Sequence, residues 1–465
     1  MKTWEDLKAA GGNKMEFVYQ AIVDYKNSRM YSEACTGYAY FRKRNTTILQ
    51  FQKYLYKMSG EAVPDTFSPN YKFCNGFFPL FTKQENSYLL GNGVTFNDDA
   101  TKDALGGDMF DKEIFNAGEF ALWGGVSYVF HNLDHEDVFK ATEFAPLFGE
   151  EDGGLHAGIR FWQIAENKPL RATLYEEDGY TEYIWRNSKG EVLQAKRNYV
   201  LIEKESVADG VEIIDGENYP GFPIVPLWAN REHQSELIGL QEKIDGYDLI
   251  QSGFANDLDQ ASMIYWTIKN AGGMDDVDLA KFIERMKVLH AAVVDEDSES
   301  TAEAHTMDVP YQARQAGLQD IRDSLFRDSM SLDTDKLSAG NVTATAIESA
   351  YENLDLKCDG FEYCVTECIN ALLALVGIED APTYHRRKTT NQPEITNMVL
   401  AAAQYLDDET ILKHLPFLNI DEIDEIMVRK QKEEADRFAD DDPDDDLEEE
   451  GDDGQSKEVD GQETK

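Results

Sequence analysis

The sequence lacks long hydrophobic runs, paired cysteines and a nucleotide-binding loop. No stretch approaches the roughly 18 apolar residues of a membrane-spanning helix, and the best candidate, 368–378, is far shorter. The opening residues, MKTWEDLKAAGG, have no apolar core of the kind that a signal peptide needs. We therefore expect a soluble, intracellular protein with no membrane partner.

Cysteine is sparse and its count is odd. Five cysteines in 465 residues do not form the pattern of a disulfide framework, which favours a reducing compartment. Cys358, Cys364 and Cys368 fall on one predicted helix, and we interpret them as buried thiols. The phosphate-binding pattern G-x-x-x-x-G-K-[ST] does not occur, so the sequence does not look like that of an ATPase with such a loop. We predict no cofactor and no metal.

Acidic residues far outnumber basic residues. The chain has 89 acidic and 44 basic residues, a formal net charge of −45 and a pI near 4.4. Such a balance argues against adhesive contact with nucleic acid phosphates or anionic membranes. Residues 440–465 hold 14 acidic and 2 basic residues, and we predict that 439–465 is a disordered acidic tail.

The periodicity predicts an α+β protein. Polar and apolar residues alternate from 120 to 199, which indicates an antiparallel sheet with hairpin turns near 177–179 and 187–190. Apolar residues three and four apart predict a helix from Ser235 and another from Pro310. These helices bracket a small α/β insert, with strands predicted at 264–268, 291–295 and 304–309 and a helix at 277–288. A polar loop, 331–343, then precedes a long helix from Ala344 with a possible kink at Gly360.

Two blocks, 221–259 and 330–362, carry a resemblance. Their order and spacing resemble the siphophage-type portal proteins of tailed double-stranded DNA bacteriophages, over about residues 20–437. The resemblance implies a portal fold in a cyclic ring. The implied domains are 1–236 as a wing of helices and antiparallel sheet, 237–261 as a stem helix, 262–309 as a clip, 310–330 as the returning stem helix, 331–343 as a tunnel loop, 344–394 as a wing helix and connection, and 395–438 as a crown.

The same resemblance implies a function without enzyme activity. Portal proteins form a ring, usually of twelve copies, at one capsid vertex, through which double-stranded DNA is packaged and ejected. The implied partners are further copies of this chain, the terminase large subunit, the major capsid and scaffolding proteins, a head-completion adaptor protein and the DNA. The implied location is the virion, after synthesis in the host cytoplasm.

The resemblance also implies channel residues. We expect acidic side chains of the stem helices to repel the DNA backbone so that the genome slides without sticking, and the candidates are Glu242, Asp245, Asp257, Asp320 and Asp323, with Asp248 and Asp259 on the same helices. In the tunnel loop the candidates are Asp333, Asp335, Lys336, Ser338 and Asn341. Lys336 either contacts phosphates transiently or is a solvated loop lysine.

Other classes of function remain open at this point. His131, Asp134 and His135 have a spacing that would put metal ligands on one helical face, which suggests a metal-dependent hydrolase as the alternative function. They follow a strand-like segment, however, and a surface turn is the favoured interpretation. The negative charge also fits an acidic adaptor or DNA mimic, which would not need two paired helices around an insert. The basic cluster 385–388 is interpreted as pairing with a neighbouring subunit's carboxylates rather than with DNA.

Overall fold

The computed structural model describes the chain in segments. These are residues 1–57, 59–66, 68–186, 189–206, 210–261, 265–269, 301–305, 310–337, 343–386 and 392–415, with 423, 426–430 and 432. The chain divides into two compact units. The first unit consists of Met1–Lys336 and Ala350–Lys388, and the second of Leu337–Ser349 and Thr389–Lys465.

Helices form most of the regular structure in the described residues. They are α1 (Trp4–Ala10), α2 (Lys14–Lys26), α3 (Arg29–Phe41), α4 (Thr46–Gln50), α5 (Phe77–Leu90), α6 (Asp99–Ala104), α7 (Asp108–Gly124), α8 (Gln241–Ala261), α9 (Tyr311–Asp328), α10 (Thr334–Leu337), α11 (Ala344–Val376), α12 (Gln392–Ala402) and α13 (Asp408–Lys413), with a 3-10 turn at Ala403–Tyr405. No helix within these residues is both long and apolar enough to cross a bilayer.

The strands of the first unit pair in antiparallel fashion throughout. A five-stranded sheet has the order β10-β9-β8-β7-β6, a three-stranded sheet the order β13-β4-β5, and the pairs β1-β2, β3-β16, β11-β12 and β14-β15 are separate. The strands are β1 (Tyr54–Tyr56), β2 (Ala62–Pro64), β3 (Val94–Thr95), β4 (Val126–Asn132), β5 (His135–Lys140), β6 (Phe144–Phe148), β7 (Leu155–Trp162), β8 (Leu170–Glu176), β9 (Gly179–Arg186), β10 (Lys189–Arg197), β11 (Val200–Ser206), β12 (Gly210–Glu217), β13 (Ile224–Trp228), β14 (Tyr265–Lys269), β15 (Thr301–His305) and β16 (Thr383–Tyr384).

Two apolar layers hold these elements together. Helix α2 packs Val18 and Ile22 against one face of the five-stranded sheet, because its apolar residues recur every three or four positions and those of the strands alternate. Helices α5, α7 and α11 pack on the three-stranded sheet around a second cluster that includes Leu122 and Leu372. The sheet and helical layers thus form the α+β architecture that the sequence predicts.

The structure corrects several predicted boundaries. The helix expected from Ser235 begins at Gln241, because Gly239 has a φ of +83° and interrupts a regular helix. The alternating region starts at Val126 rather than 120 and contains two sheets instead of one, since α7 continues to Gly124. The turn at 177–179 joins β8 to β9 as predicted. Helix α11 passes uninterrupted through Gly360.

The predicted insert and the last segments are described only in part. Strand β14 agrees with the predicted alternation, and β15 (Thr301–His305) includes the first two residues of the strand predicted at 304–309, whose remaining residues lie outside the described part of the chain. The predicted helix 277–288 and strand 291–295 lie outside the described residues, and so does the tail 439–465. Of the predicted crown, 395–438, the structure describes α12, the 3-10 turn, α13 and a few residues beyond.

We predict that replacing Gly37 with alanine destabilises the fold. A Cβ on Gly37, in α3, would lie 1.9 Å from the backbone oxygen of Trp123 at the end of α7, so the helices must separate. We expect a loss of about 1–3 kcal/mol in the free energy of unfolding, measured by urea denaturation.

Gly360→Ala is the matched control, because no heavy atom lies within 4 Å of the added Cβ. Alanine is the better helix former by about 1 kcal/mol, so this variant should be as stable as the wild type or more so. Equal stability of Gly37→Ala and wild type would contradict the close packing of α3 on α7.

Candidate functional site: the paired helices and the following loop

Helices α8 and α9 form an antiparallel pair. Near the start of α8, Lys243 donates to Ser324 Oγ at 2.9 Å and forms an ion pair with Asp328 at the end of α9. Near the other end, the Phe254 and Tyr311 rings lie 5.6 Å apart. The start of one helix therefore lies beside the end of the other, as two stem helices that bracket an insert require.

An aromatic cluster anchors one end of this pair in the first unit. Leu240 and Ile244 at the start of α8, and Leu325 and Phe326 at the end of α9, are buried. They pack against a set contributed by α3, α5 and α7, namely Tyr40, Phe78, Phe81 and Trp123. Ser235 fixes the approach to α8, since its hydroxyl donates to the Trp123 carbonyl at 2.8 Å and accepts from the Leu237 amide.

A row of polar side chains attaches α8 to the extended segment 71–75. Asp248, Ser252 and Asn256 are four residues apart and buried. The backbone bonds of this row are Tyr71 N to Asn256 Oδ1 at 2.7 Å, Phe73 N to Ser252 Oγ at 2.9 Å and Asn75 N to Asp248 Oδ1 at 3.1 Å. Alternate amides of an extended chain are about 6.6 Å apart. Residues four apart in a helix rise about 6 Å, so the two spacings match closely.

Asp248 is the most heavily bonded residue of this row. Its carboxylate also accepts from Asn75 Nδ2 at 2.6 Å and from Asn45 Nδ2 at 2.8 Å. Burial raises the pKa of Asp248, and the hydrogen bonds from Asn75 and Asn45 oppose that effect. Sequence reasoning grouped Asp248 with the channel acids, whereas the structure buries it. The sequence does carry a signal for this role, because Asp248, Ser252 and Asn256 follow the apolar Ile244 at steps of four residues.

The other predicted channel acids divide into two groups. Three of them have partners: Tyr40 donates to Asp245, Arg314 pairs with Asp257, and Lys336 pairs with Asp323 at 3.1 Å. Burial, followed by the hydrogen bond to Asp245, raises the pKa of Tyr40 to about 12, so this hydroxyl stays protonated. Glu242 and Asp320 are exposed. The helix pair is therefore partly neutralised along its length and keeps exposed carboxylates at these two positions.

The loop predicted at 331–343 contains the short helix α10. Arg322 of α9 holds its start, because the guanidinium donates to both carboxylate oxygens of Asp333, at 2.9 and 3.0 Å, and to Asp335 at 2.6 Å. The side-chain amide of Gln84 pairs with both backbone groups of Leu332, at 2.8 and 3.1 Å. Thus 331–337 is ordered by ion pairs rather than being simply a loop, and Ser338 and Asn341 lie outside the described residues.

Lys336 is already engaged with carboxylates. Its ammonium lies 3.1 Å from Asp323 and 3.9 Å from Asp333. The hydrogen bond from Lys336 lowers the pKa of Asp323, and this acid is therefore ionised near neutral pH. The lysine side chain is nevertheless 62% exposed, so a phosphate oxygen can reach its ammonium.

A buried ionic cluster joins helices α5 and α11 to the segment that leads into α8. Lys357 of α11 contacts Glu85 of α5 at 2.7 Å and Glu236, just before α8, at 3.1 Å. Burial acts to lower the pKa of Lys357, but the two carboxylates outweigh it and raise the pKa. Burial raises the pKa of Glu85, and the charge of Lys357 opposes that rise. Lys357 remains charged and holds α5, α11 and the segment before α8 together.

The residues of the hydrolase alternative do not converge. His131 is buried in β4 and its Nδ1 lies 3.1 Å from Glu136 of β5, whereas the Asp134 side chain is 92% exposed in the turn. Because this segment is a β-hairpin, the helical arrangement with three ligands on one face does not form, and the turn favoured from the sequence is present at 133–134. Across the described segments, no group of three His, Cys, Asp or Glu side chains is placed to hold a metal ion.

The basic cluster and the cysteines have roles within the chain. Arg386 pairs with Asp359 at 2.7 Å and Glu362 at 2.5 Å, so its carboxylates come from its own α11 and not from a neighbouring subunit. Positions 387 and 388 lie outside the described residues. Cys358, Cys364 and Cys368 are buried, as predicted, and burial raises the pKa of each thiol.

The chain is similar in sequence to known proteins. Residues 40–437 match the family described as "Phage portal protein, SPP1 Gp6-like". The "Portal protein" of Clostridium phage phiCD119 is 25% identical over 401 residues, which cover 80% of this chain and 87% of that protein. That of Bacillus phage SPP1 is 22% identical over 441 residues, covering 85% and 84%. A solved chain from "Neck of native GTA particle computed with C12 symmetry" is 12% identical, covers 73% of this chain and 88% of that chain, and has a TM-score of 0.40.

Because the family match spans most of the sequence, the chain belongs to the phage portal protein family. The predicted family, the portal fold and the portal function are confirmed. Nothing in the comparisons supports the metal hydrolase.

We predict that Asp248→Asn loosens the attachment of α8. The new side-chain amide keeps one acceptor oxygen, and its NH2 group then faces the donor of Asn45 or the donors of Asn75, so that buried hydrogen bonding is lost on one side. We expect a loss of about 1–3 kcal/mol in unfolding free energy and faster hydrogen exchange of the Asn75 amide. Glu242→Gln, on the same helix but exposed, is the control and should change neither quantity. Unaltered exchange in Asp248→Asn would refute the attachment.

Proposed function

We propose that this chain assembles into a closed ring, of twelve copies in the virion, through which double-stranded DNA is packaged and later ejected. Its membership of the portal family supports the proposal. A ring of identical subunits uses a heterologous interface that closes by rotation. In this proposal the ring stands at one vertex of the capsid and is made in the host cytoplasm before assembly.

We assign the family's parts to the segments of this chain. Residues 1–236 form the wing, 237–261 and 310–330 the two stem helices, 262–309 the clip, 331–343 the tunnel loop, 344–394 the wing helix and connection, and 395–438 the crown. The assignment rests on the antiparallel pair α8–α9. The start of α8 and the end of α9 are anchored in a buried cluster, and the chain continues into the insert from the opposite end of the pair.

The electrostatics of the pair suggest how DNA passes. The acids that lie against cations contribute little net field, whereas Glu242 and Asp320 are exposed. Repeated around a ring in a protein of net charge −45, exposed carboxylates repel the phosphate backbone and leave the duplex without a strong binding position. We propose that this surface allows sliding.

We propose that Lys336 retains DNA, whereas the exposed carboxylates let it slide. This lysine shares Asp323 and Asp333 in the resting loop, and it would exchange those carboxylates for a passing phosphate. The cost of exchange is small because exposed ion pairs contribute about 0–1 kcal/mol. A ring of such lysines retains DNA weakly and reversibly, with Arg322 keeping the loop start in place.

The proposal needs partners for energy and attachment. The sequence contains no phosphate-binding loop, and the portal family is structural, so the motor is the terminase large subunit, docked at the clip. The major capsid and scaffolding proteins surround the wing, and a head-completion adaptor follows the motor. We assign the chain no enzymatic step.

We predict that Glu242→Lys with Asp320→Lys slows DNA passage. The two exposed carboxylates become cations that bind phosphates, so packaging into proheads should fall severalfold while ring assembly persists. The measurement is the DNA protected from nuclease after in vitro packaging, at two salt concentrations. The defect should lessen at higher salt because phosphate contacts are screened.

The matched control is Glu151→Lys with Glu166→Lys, two exposed acids beside the five-stranded sheet. It makes the same change in net charge but should package normally. Equal packaging by both double variants and wild type would count against the sliding role of the helix pair.

A further inference from the structure

A cluster of positive charge stands out in the otherwise acidic chain. Residues 42–72 contain six basic and two acidic residues, whereas the whole chain has a net charge of −45. Among the described residues, Lys57 is the only one of these six with a carboxylate partner, Glu61 at 2.9 Å. The other five form the charged part of what we call the basic–aromatic surface: Arg42, Lys43, Arg44, Lys53 and Lys72.

These cations lie on one connected piece of the first unit. The Lys72 ammonium donates to the Leu49 carbonyl at 2.6 Å, and that of Lys53 donates to the Pro69 carbonyl at 2.8 Å. The end of the Lys43 side chain lies beside Gly76, where an added Cβ would be 2.9 Å from it. The segments around 43, 49–53 and 69–76 are therefore adjacent in space and present their charges together.

Large apolar side chains are exposed among these charges. The hairpin β1–β2 and the segments on either side of it contribute residues that are between 41% and 77% exposed, namely Phe51, Tyr54, Leu55, Tyr56, Tyr71 and Phe73. All three residues of β1 are exposed, and β2 has no buried residue either. Contiguous exposed apolar area of this kind marks an interaction site.

We propose that the basic–aromatic surface is one half of the contact between neighbouring copies of this chain, and that it receives an acidic surface of the next copy. This inference rests on the proposed ring. Two identical acidic subunits repel each other because each has a net charge of −45. In a heterologous contact two different surfaces meet, so a locally positive surface of one copy can face an acidic surface of its neighbour and offset the repulsion.

The composition favours a protein partner over nucleic acid. Tyrosine and phenylalanine are enriched where protein interfaces are buried, and exposed Leu55 adds aliphatic area that phosphate binding does not use. Lys53 and Lys72 donate to backbone carbonyls of their own chain, so their charges are held in place beside the apolar residues. Such a fixed arrangement suits a specific surface.

The test compares ring assembly of full-length variants. The first variant carries Arg42→Glu, Lys43→Glu and Arg44→Glu, and the second carries Tyr54→Ser and Tyr56→Ser with the charges intact. The matched control carries Lys168→Glu, Lys189→Glu and Arg197→Glu, exposed cations on or beside the five-stranded sheet. Analytical ultracentrifugation and negative-stain electron microscopy measure the assembled fraction. Circular dichroism and thermal unfolding check that each variant is folded.

We expect rings from the wild type and the control, and at least a tenfold weaker subunit association in both test variants, equivalent to about 1.4 kcal/mol per contact. Folded test variants that assemble like the wild type would overturn this inference alone. A wild type that forms no ring under any salt condition overturns the proposed function and this inference with it. Unchanged assembly together with lost binding of a short DNA duplex would assign the surface to nucleic acid instead.

Discussion

The attachment of α8 to the extended segment 71–75 is the contact on which the rest of the arrangement depends. Three polar side chains on one stripe of the helix receive alternate backbone amides of that segment, and the carboxylate of Asp248 receives two asparagine amides as well. Apolar packing alone would let a helix rotate or slide, whereas hydrogen bonds at three successive turns fix both rotation and register. The antiparallel partner α9 then follows through its contacts with α8.

The same fixed register divides the acids of the helix pair by role. Asp248 is used for attachment, Asp257 and Asp323 pair with cations, and Glu242 and Asp320 are exposed. Around the loop start, Arg322 binds two aspartates and leaves Lys336 shared between carboxylates on the exposed side. A family whose proposed task is to let DNA slide yet retain it needs both features, a repelling surface and a weak cationic contact.

Much of the architecture could be predicted because it follows local periodicity. Alternation predicted the strands from β4 up to Arg197 at the end of β10, and three-to-four spacing predicted both stem helices and α11. The side chains that fix the site could not be predicted in the same way, because their partners lie far away in the chain. Asp248 looks like any exposed helix acid until Asn45 and Asn75 are brought beside it, and Arg386 looks like a surface cation until α11 supplies its carboxylates. The alternative of a metal site at His131 and His135 fails because a four-residue step implies one face only in a helix, and these residues lie in the hairpin that the favoured interpretation as a turn required.

A cryo-electron microscopy reconstruction of the assembled full-length chain would show which elements line the central opening. We expect a closed ring whose opening is lined by Gln241–Ala261 and Tyr311–Asp328, with the segment 331–337, held by Arg322 through Asp333, reaching toward the axis. An open filament, or a closed ring whose opening is lined by the five-stranded sheet, would contradict it.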